Sequence, residues 1–80
     1  MIRVARNHAR ISVKPEVMGG KPCIKGTRIP VDVILRYLGD GQSTEDILAA
    51  FPGLTALDVR AAAAFAADVV AGEAVVLEEA

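Results

Sequence analysis

Two Ser/Thr-x-x-Asp starts, Ser43 to Asp46 and Thr55 to Asp58, bracket the dipeptide Pro52-Gly53. That arrangement leaves few choices. A Ser or Thr at a helix N-cap accepts an otherwise unpaired backbone N–H, and an acid three residues on can return the bond. Pro-Gly cannot continue a helix. The pattern predicts a short helix after Ser43, burying Ile47, Leu48 and Phe51, and a longer one from Thr55 to about Ala71, stopped by Gly72. An earlier helix fits ahead of them. Pro30 suits a first helical position, Asp32 sits in the first turn where the helix dipole favours an anion, and Val31, Ile34, Leu35 and Leu38 form one apolar stripe. Gly39-Asp40-Gly41 ends it. The last two helices are joined by Phe51 to Leu54. This is the outline of a helix-turn-helix, and equally of an αα-hairpin in a small bundle.

Ahead of the helices the pattern changes. Ile2/Val4 and Ile11/Val13 alternate as in short strands. Gly19-Gly20 turns the chain, and Pro22–Ile24 and Thr27–Ile29 read as arms of a tight hairpin around Lys25-Gly26. The fold class predicted is mainly α: a three-helix domain preceded by a small β-hairpin. The 80 residues form a single domain, with 1–29 basic strands and hairpin, 30–71 the three-helix body and 72–80 a tail.

A core this small is marginal without help from disulfides, a metal or association. Cys23 is the only cysteine and His8 the only histidine, so neither an internal disulfide nor a structural metal site is expected. Hydrophobic residues make up 52% of the chain, with only three aromatics. The third helix is apolar nearly all round, with Leu57, Ala61, Ala64 and Phe65 on one face and Val59, Ala62, Ala63, Ala66 and Val70 on the other. A helix apolar on both sides is buried on both. The second face is therefore expected to form a homodimer interface. No secretory signal or membrane span is expected. Arg3, Arg6 and Arg10 interrupt the N-terminal residues, and the charge-free run Ala61–Ala67 cannot cross a bilayer. A cytoplasmic protein with a reduced thiol follows.

The net charge of −1 hides a sharp division. Residues 1–28 carry seven cations and one anion; residues 29–80 carry two cations and nine anions. Such asymmetry suggests two surfaces with different partners, although a merely solvated charge split gives the same numbers. On the basic side, Arg6, Arg10, Lys14, Lys25 and Arg28 are candidates for phosphate contacts. Thr55 and Arg60, near the start of the third helix, are candidate base readers. That helix is otherwise a poor recognition helix, because Asp58 repels phosphate and the alanine run offers no donors. On the other side, Ala74, Val75, Val76 and Leu77 form an apolar, β-leaning segment followed by Glu78 and Glu79. It is a candidate strand for a partner's sheet edge, with pairing inside a homodimer or extension of the third helix as alternatives.

The stretch GGKPCIKGTRIPV, residues 19–31, has the composition of a phosphate loop without its spacing. Five residues separate Gly20 from Gly26 where a Walker loop has four, and Lys25-Gly26-Thr27 reverses its Gly-Lys order. A dinucleotide fingerprint is absent. Cys23 has Lys21 and Lys25 nearby but no residue placed to act as its base, and His8 reads as a solvated surface residue. The chain is not expected to be an enzyme, and no cofactor is implied.

From His8 to Asp68, HARISVKPEVMGGKPCIKGTRIPV onward to FAAD, the sequence resembles a family of short prokaryotic VapB-like antitoxins, formerly a domain of unknown function. The family's hallmark is GGxPxIxGTRI, matched here by Gly19, Gly20, Pro22, Gly26, Thr27 and Arg28. Cys23 and Phe51 depart mildly, standing where Val and Tyr are commoner. The resemblance implies a homeodomain-like three-helix fold with a small β element. It further implies an antitoxin that neutralises a PIN-like ribonuclease toxin encoded beside it and binds its own operator DNA. A dimeric protein-interaction module with no DNA role remains the alternative.

Overall fold

The computed structural model describes residues 6–72 and 75–78, with side chains from residue 8 to 72. Within them a strand β1 (Arg6–Ser12), a single 3-10 turn (Met18–Gly20) and a short strand β2 (Cys23–Ile24) precede three helices. These are α1 (Val31–Gly39), α2 (Thr44–Ala50) and α3 (Ala56–Val70), and a last strand β3 (Val75–Glu78) follows. The mainly α, three-helix plan after an antiparallel β element is the one the sequence outlines. The expected strand at Ile2/Val4 lies outside the described residues.

Both capping boxes form. Ser43 Oγ accepts from the Asp46 N–H at 3.1 Å, and Asp46 Oδ2 accepts from the Ser43 N–H at 2.9 Å. Thr55 and Asp58 repeat the exchange at 3.3 and 3.0 Å. Helix α1 begins differently. Pro30 is its N-cap rather than its first residue, and no side chain caps it. The Val31 N–H instead donates to the Pro22 carbonyl at 2.9 Å, tying the helix to the loop before it. Its other end closes on Gly41 at φ +88°, a left-handed conformation that glycine adopts without strain. There Gly41 N–H bonds Leu38 O and Gln42 N–H bonds Tyr37 O, each at 3.0 Å, the paired closure of a Schellman motif.

The sheet order is β2-β1-β3. Strand β1 pairs antiparallel with β2 (Ile11 opposite Ile24, Ser12 opposite Cys23). The expected hairpin arm Thr27–Ile29 is not a strand. It turns tightly at Gly26 (φ +81°) and closes through Ile24 N–H to Ile29 O at 3.0 Å. On the other side of β1, β3 runs parallel, with Arg6 opposite Val75, Asn7 opposite Val76 and His8 opposite Leu77. This changes the reading of the tail. Val75–Glu78 is the third strand of the chain's own sheet, because a short β-leaning run beside an unpaired strand satisfies both sets of backbone groups. Ala74 and Glu79 lie outside the described residues.

One core joins sheet and helices: Ile11 and Ile24 from the strands, Val31 and Ile34 from α1, Ile47 from α2, Leu54 from the turn, and Val59, Ala62 and Phe65 from α3. This corrects the helix faces. Val59 and Ala62, expected to meet a second subunit, are buried inside the chain, whereas Leu57, expected to face inward, is 53% exposed. The helix lies across β1 as well as α1, and that second contact turns its Val59–Ala62 side inward. Ala63 and Val70 remain exposed and Ala66 half-buried.

The α2 cap sets a first prediction. Hydrogen bonds from Ser43, the backbone one foremost, hold the Asp46 carboxyl below its usual value. A depressed folded value means that this stabilisation is present above the unfolded pKa, about 4, and is lost as pH falls through the folded one. Acid unfolding of the Asp46→Asn variant is expected to show a shallower dependence of stability on pH below about 4. Equal slopes for parent and variant in denaturant titrations would remove the cap from the acid response.

Candidate functional site

The turns around β2 enclose a cleft of about 280 Å³. Ser12 at the end of β1, Lys14 just after it, Lys21 and Cys23 leading into and within β2, and Thr27 and Arg28 after the Gly26 turn all line it. Its deepest residues are Ser12 and Cys23, at 4% and 2% exposure. Its rim is cationic. Lys21 Nζ lies 3.6 Å from Asp32 Oδ2, but both side chains are about half exposed, so water weakens the pair. Among the described residues, neither Lys14 nor Arg28 has an ion-pair partner. The Thr27 hydroxyl is used within the turn, donating to Ile24 O at 2.8 Å and accepting from the Ile29 N–H at 3.0 Å.

Burial and then the nearby Asp32 carboxylate push the Cys23 thiol up, with Lys21 acting in the opposite direction. Its Sγ–H donates to Lys21 O at 3.3 Å. The thiolate is the reactive form, so Cys23 is expected to react with a neutral-pH thiol reagent at least about tenfold more slowly in the folded chain than in urea. Equal labelling rates would show that the thiol is open to solvent.

A second hollow, about 300 Å³, lies between α1 and the end of α3. Pro22, Val31, Leu35, Phe65, Ala66, Val69 and Val70 line it, and among the described residues Lys21 and Asp32 are its only charged lining residues. Val69 and Val70 are 51% and 88% exposed.

The expected nucleic-acid residues separate into groups. Lys14 and Arg28 meet at the cleft, joined by Lys21, which the sequence reading did not single out for this role. Lys25 is exposed nearby, its backbone N–H donating to Arg10 O at 2.8 Å. Arg10 does not join them. Its Nη1 donates to Asp58 Oδ1 at 3.0 Å, fastening β1 to the start of α3. Thr55 is occupied as a cap, and Arg60 is exposed on α3 apart from the cleft lining. The side chain of Arg6 is outside the described ones. His8 is a clear correction. Rather than a solvated residue, its side chain is 8% exposed, with Nε2 2.8 Å from Asp68 Oδ2 and its ring edge-on to Phe65 at a centroid distance of 5.4 Å. The period-2 spacing of His8 and Arg10, opposite the acids of α3, was the available signal. Among the described residues, no group of three or more His, Cys, Asp or Glu is placed to hold a metal, and no helix is long and apolar enough to cross a membrane.

Residues 11–66 match the model of the family described as protein of unknown function, DUF433. The chain belongs to this family. The DUF433 match takes in the whole lining of the cationic cleft but stops short of Val69, Val70 and β3. Among curated proteins the chain is similar to Uncharacterized protein y4eO of Sinorhizobium fredii, 36% identical over 56 residues. That alignment takes in 70% of this chain and spans about a quarter, 25%, of the relative. A solved DUF433 member, from Anabaena variabilis ATCC 29413, superposes with a TM-score of 0.72 at 36% identity, over 79% of this chain and 62% of that one.

Proposed function

We propose that this DUF433 chain is the antitoxin of a type II toxin–antitoxin pair, a VapB-like partner that neutralises a PIN-like ribonuclease in the cytoplasm and binds operator DNA. The observation that carries the reading is the division of the body between two different surfaces. A cleft rimmed by Lys14, Lys21 and Arg28 suits a polyanion, and an apolar groove ending in exposed Val69 and Val70 suits a protein. An exposed apolar groove on a small domain is a common mark of a protein contact. The GGxPxIxGTRI segment builds the first surface and leads directly into α1, which helps to build the second. A homodimer fits the same scheme through the outer side of α3, where Ala63 and Val70 are exposed.

The test is co-expression with a PIN-like nuclease encoded beside the gene. Rescue of growth, with RNA cleavage blocked in the purified mixture, is the expected result. Uninhibited cleavage at a threefold molar excess of this chain would overturn it. The alternative, a protein-interaction module without a DNA role, is favoured by one observation. Thr55 and Asp58 are committed to the cap and Asp58 also to Arg10, leaving Arg60 as the one cation on α3. Binding to the upstream duplex across a salt series separates the two, since only phosphate contacts give a steep slope.

A further inference from the structure

We infer that the cleft between the end of β1 and the Gly26 turn is a phosphate-binding site, and that Lys14, Lys21 and Arg28 grip the nucleic-acid backbone there. The inference rests on the nucleic-acid half of the reading above and moves the contact away from α3, where a helix-turn-helix would place it. Three features of the cleft carry it. First, it is a formed hollow and not a flat patch: Ser12 and Cys23 are almost fully buried at its base, and Lys14 is half-buried. Second, among the described residues its lining contains three cations and no anion. The neighbouring Asp32 reaches only Lys21, at 3.6 Å, while Lys14 and Arg28 have no ion-pair partner among the described residues. Third, three cations lining one cleft outnumber the two oxygens of a carboxylate but match the several acceptors of a phosphate. Arg28 contributes a planar fork suited to two phosphate oxygens at once, and the lysines act as point charges.

The candidates on α3 lack these properties. Thr55 and Asp58 are bound to each other, Asp58 holds Arg10, and the exposed residues beyond Arg60 are mostly alanines. The cleft thus positions the chain on a backbone without reading bases, so the binding it supports is expected to be nearly independent of sequence.

The test uses the full chain, with inorganic phosphate and a random-sequence DNA duplex as separate probes. Phosphate is expected to shift the amide resonances of Lys21, Thr27 and Arg28 while leaving those of α2 in place. For the duplex, each lost phosphate contact lowers the slope of log affinity against log salt by about 0.9. The Lys14→Ala/Arg28→Ala double variant is therefore expected to flatten the slope by about 2 and to weaken binding at low salt by at least about tenfold. Arg36→Ala, which removes an exposed cation elsewhere, is expected to keep the parent's slope. Far-UV circular dichroism melts check that both variants fold. If the parent binds duplex and the double variant keeps its slope, the cleft is not the site, although the DNA role stands. If phosphate shifts the cleft amides but no duplex binds, the phosphate site stands with a small phosphate ester as its ligand, and the nucleic-acid reading falls. A polyglutamate of matched length that binds as tightly as the duplex, with the same sensitivity to the double variant, would overturn the assignment to phosphate.

Discussion

Replacing Asp58 by Ala is expected to lower the stability of the chain by about 1–2 kcal/mol and its melting temperature by about 5–15 °C. The effect is large because one buried carboxylate serves two elements. Oδ2 accepts from the Thr55 N–H and Oδ1 from Arg10, while the residue's own N–H is taken by the Thr55 hydroxyl. Its side chain is 10% exposed. Truncation leaves the Thr55 N–H without that acceptor and removes one of the ties between β1 and α3, the His8–Asp68 contact remaining. The Thr55 hydroxyl still caps the N–H of residue 58, so the loss is the returned bond of the capping box, which at an exposed Thr55 is worth about 1–2 kcal/mol as a hydrogen bond to a charged acceptor. The ion pair itself adds little, because Arg10 is 48% exposed and water screens it. Arg10→Ala is therefore expected to cost well under 1 kcal/mol, and Asp58→Asn, which keeps one acceptor, to fall between. Thermal melts of the three variants check the order. An Arg10→Ala loss equal to that of Asp58→Ala would place the energy in the ion pair and not in the cap.

Cutting the chain after Gly72 is expected to remove about 3 kcal/mol, a large part of what an 80-residue domain has to spare. The reason is β3. Its register with β1 runs through Arg6–Val75, Asn7–Val76 and His8–Leu77, and each backbone bond in such a ladder is worth about 1 kcal/mol net. Loss of β3 also loosens β1, which carries Ile11 into the core. Urea unfolding of full-length and truncated chains measures the difference. Coincident curves would mean that residues 73 onward contribute nothing to the fold and are free for a partner. With β3 in place, a toxin that captured Val75 and Leu77 would first have to detach the strand, a penalty of about a hundredfold in affinity.

The helical half of this fold was legible because its signals are local. Ser43, Thr55 and their partner acids name two helix starts within four residues each, and Gly41 and Gly72 mark ends by the same short-range logic. Pairings across the chain were not legible. Nothing near Val75 says that its neighbour is Arg6, and nothing near His8 announces Asp68, sixty positions on. The faces of α3 failed for a related reason. Alanine is acceptable on either side of a helix, so an Ala-rich stretch carries almost no directional pattern. The burial of Val59 and Ala62 was decided by where β1 and α1 lie. At the cleft, Lys14 and Arg28 were legible as charges, but only the folded turns put Lys21 on the same lining.

The order of the sheet bears on how the chain is made. Strand β1 is made before the three helices, yet its parallel neighbour follows only after them. The helices have local contacts and can form as they appear. The sheet must wait for residues 75–78, since a pairing of such long sequence separation closes late and slowly. Until then one side of β1 is an open edge, able to recruit the strand of another nascent chain on the same polysome. Crowded translation would thus favour strand-exchanged chains or aggregates, and a pause after residue 72 would lengthen the exposure.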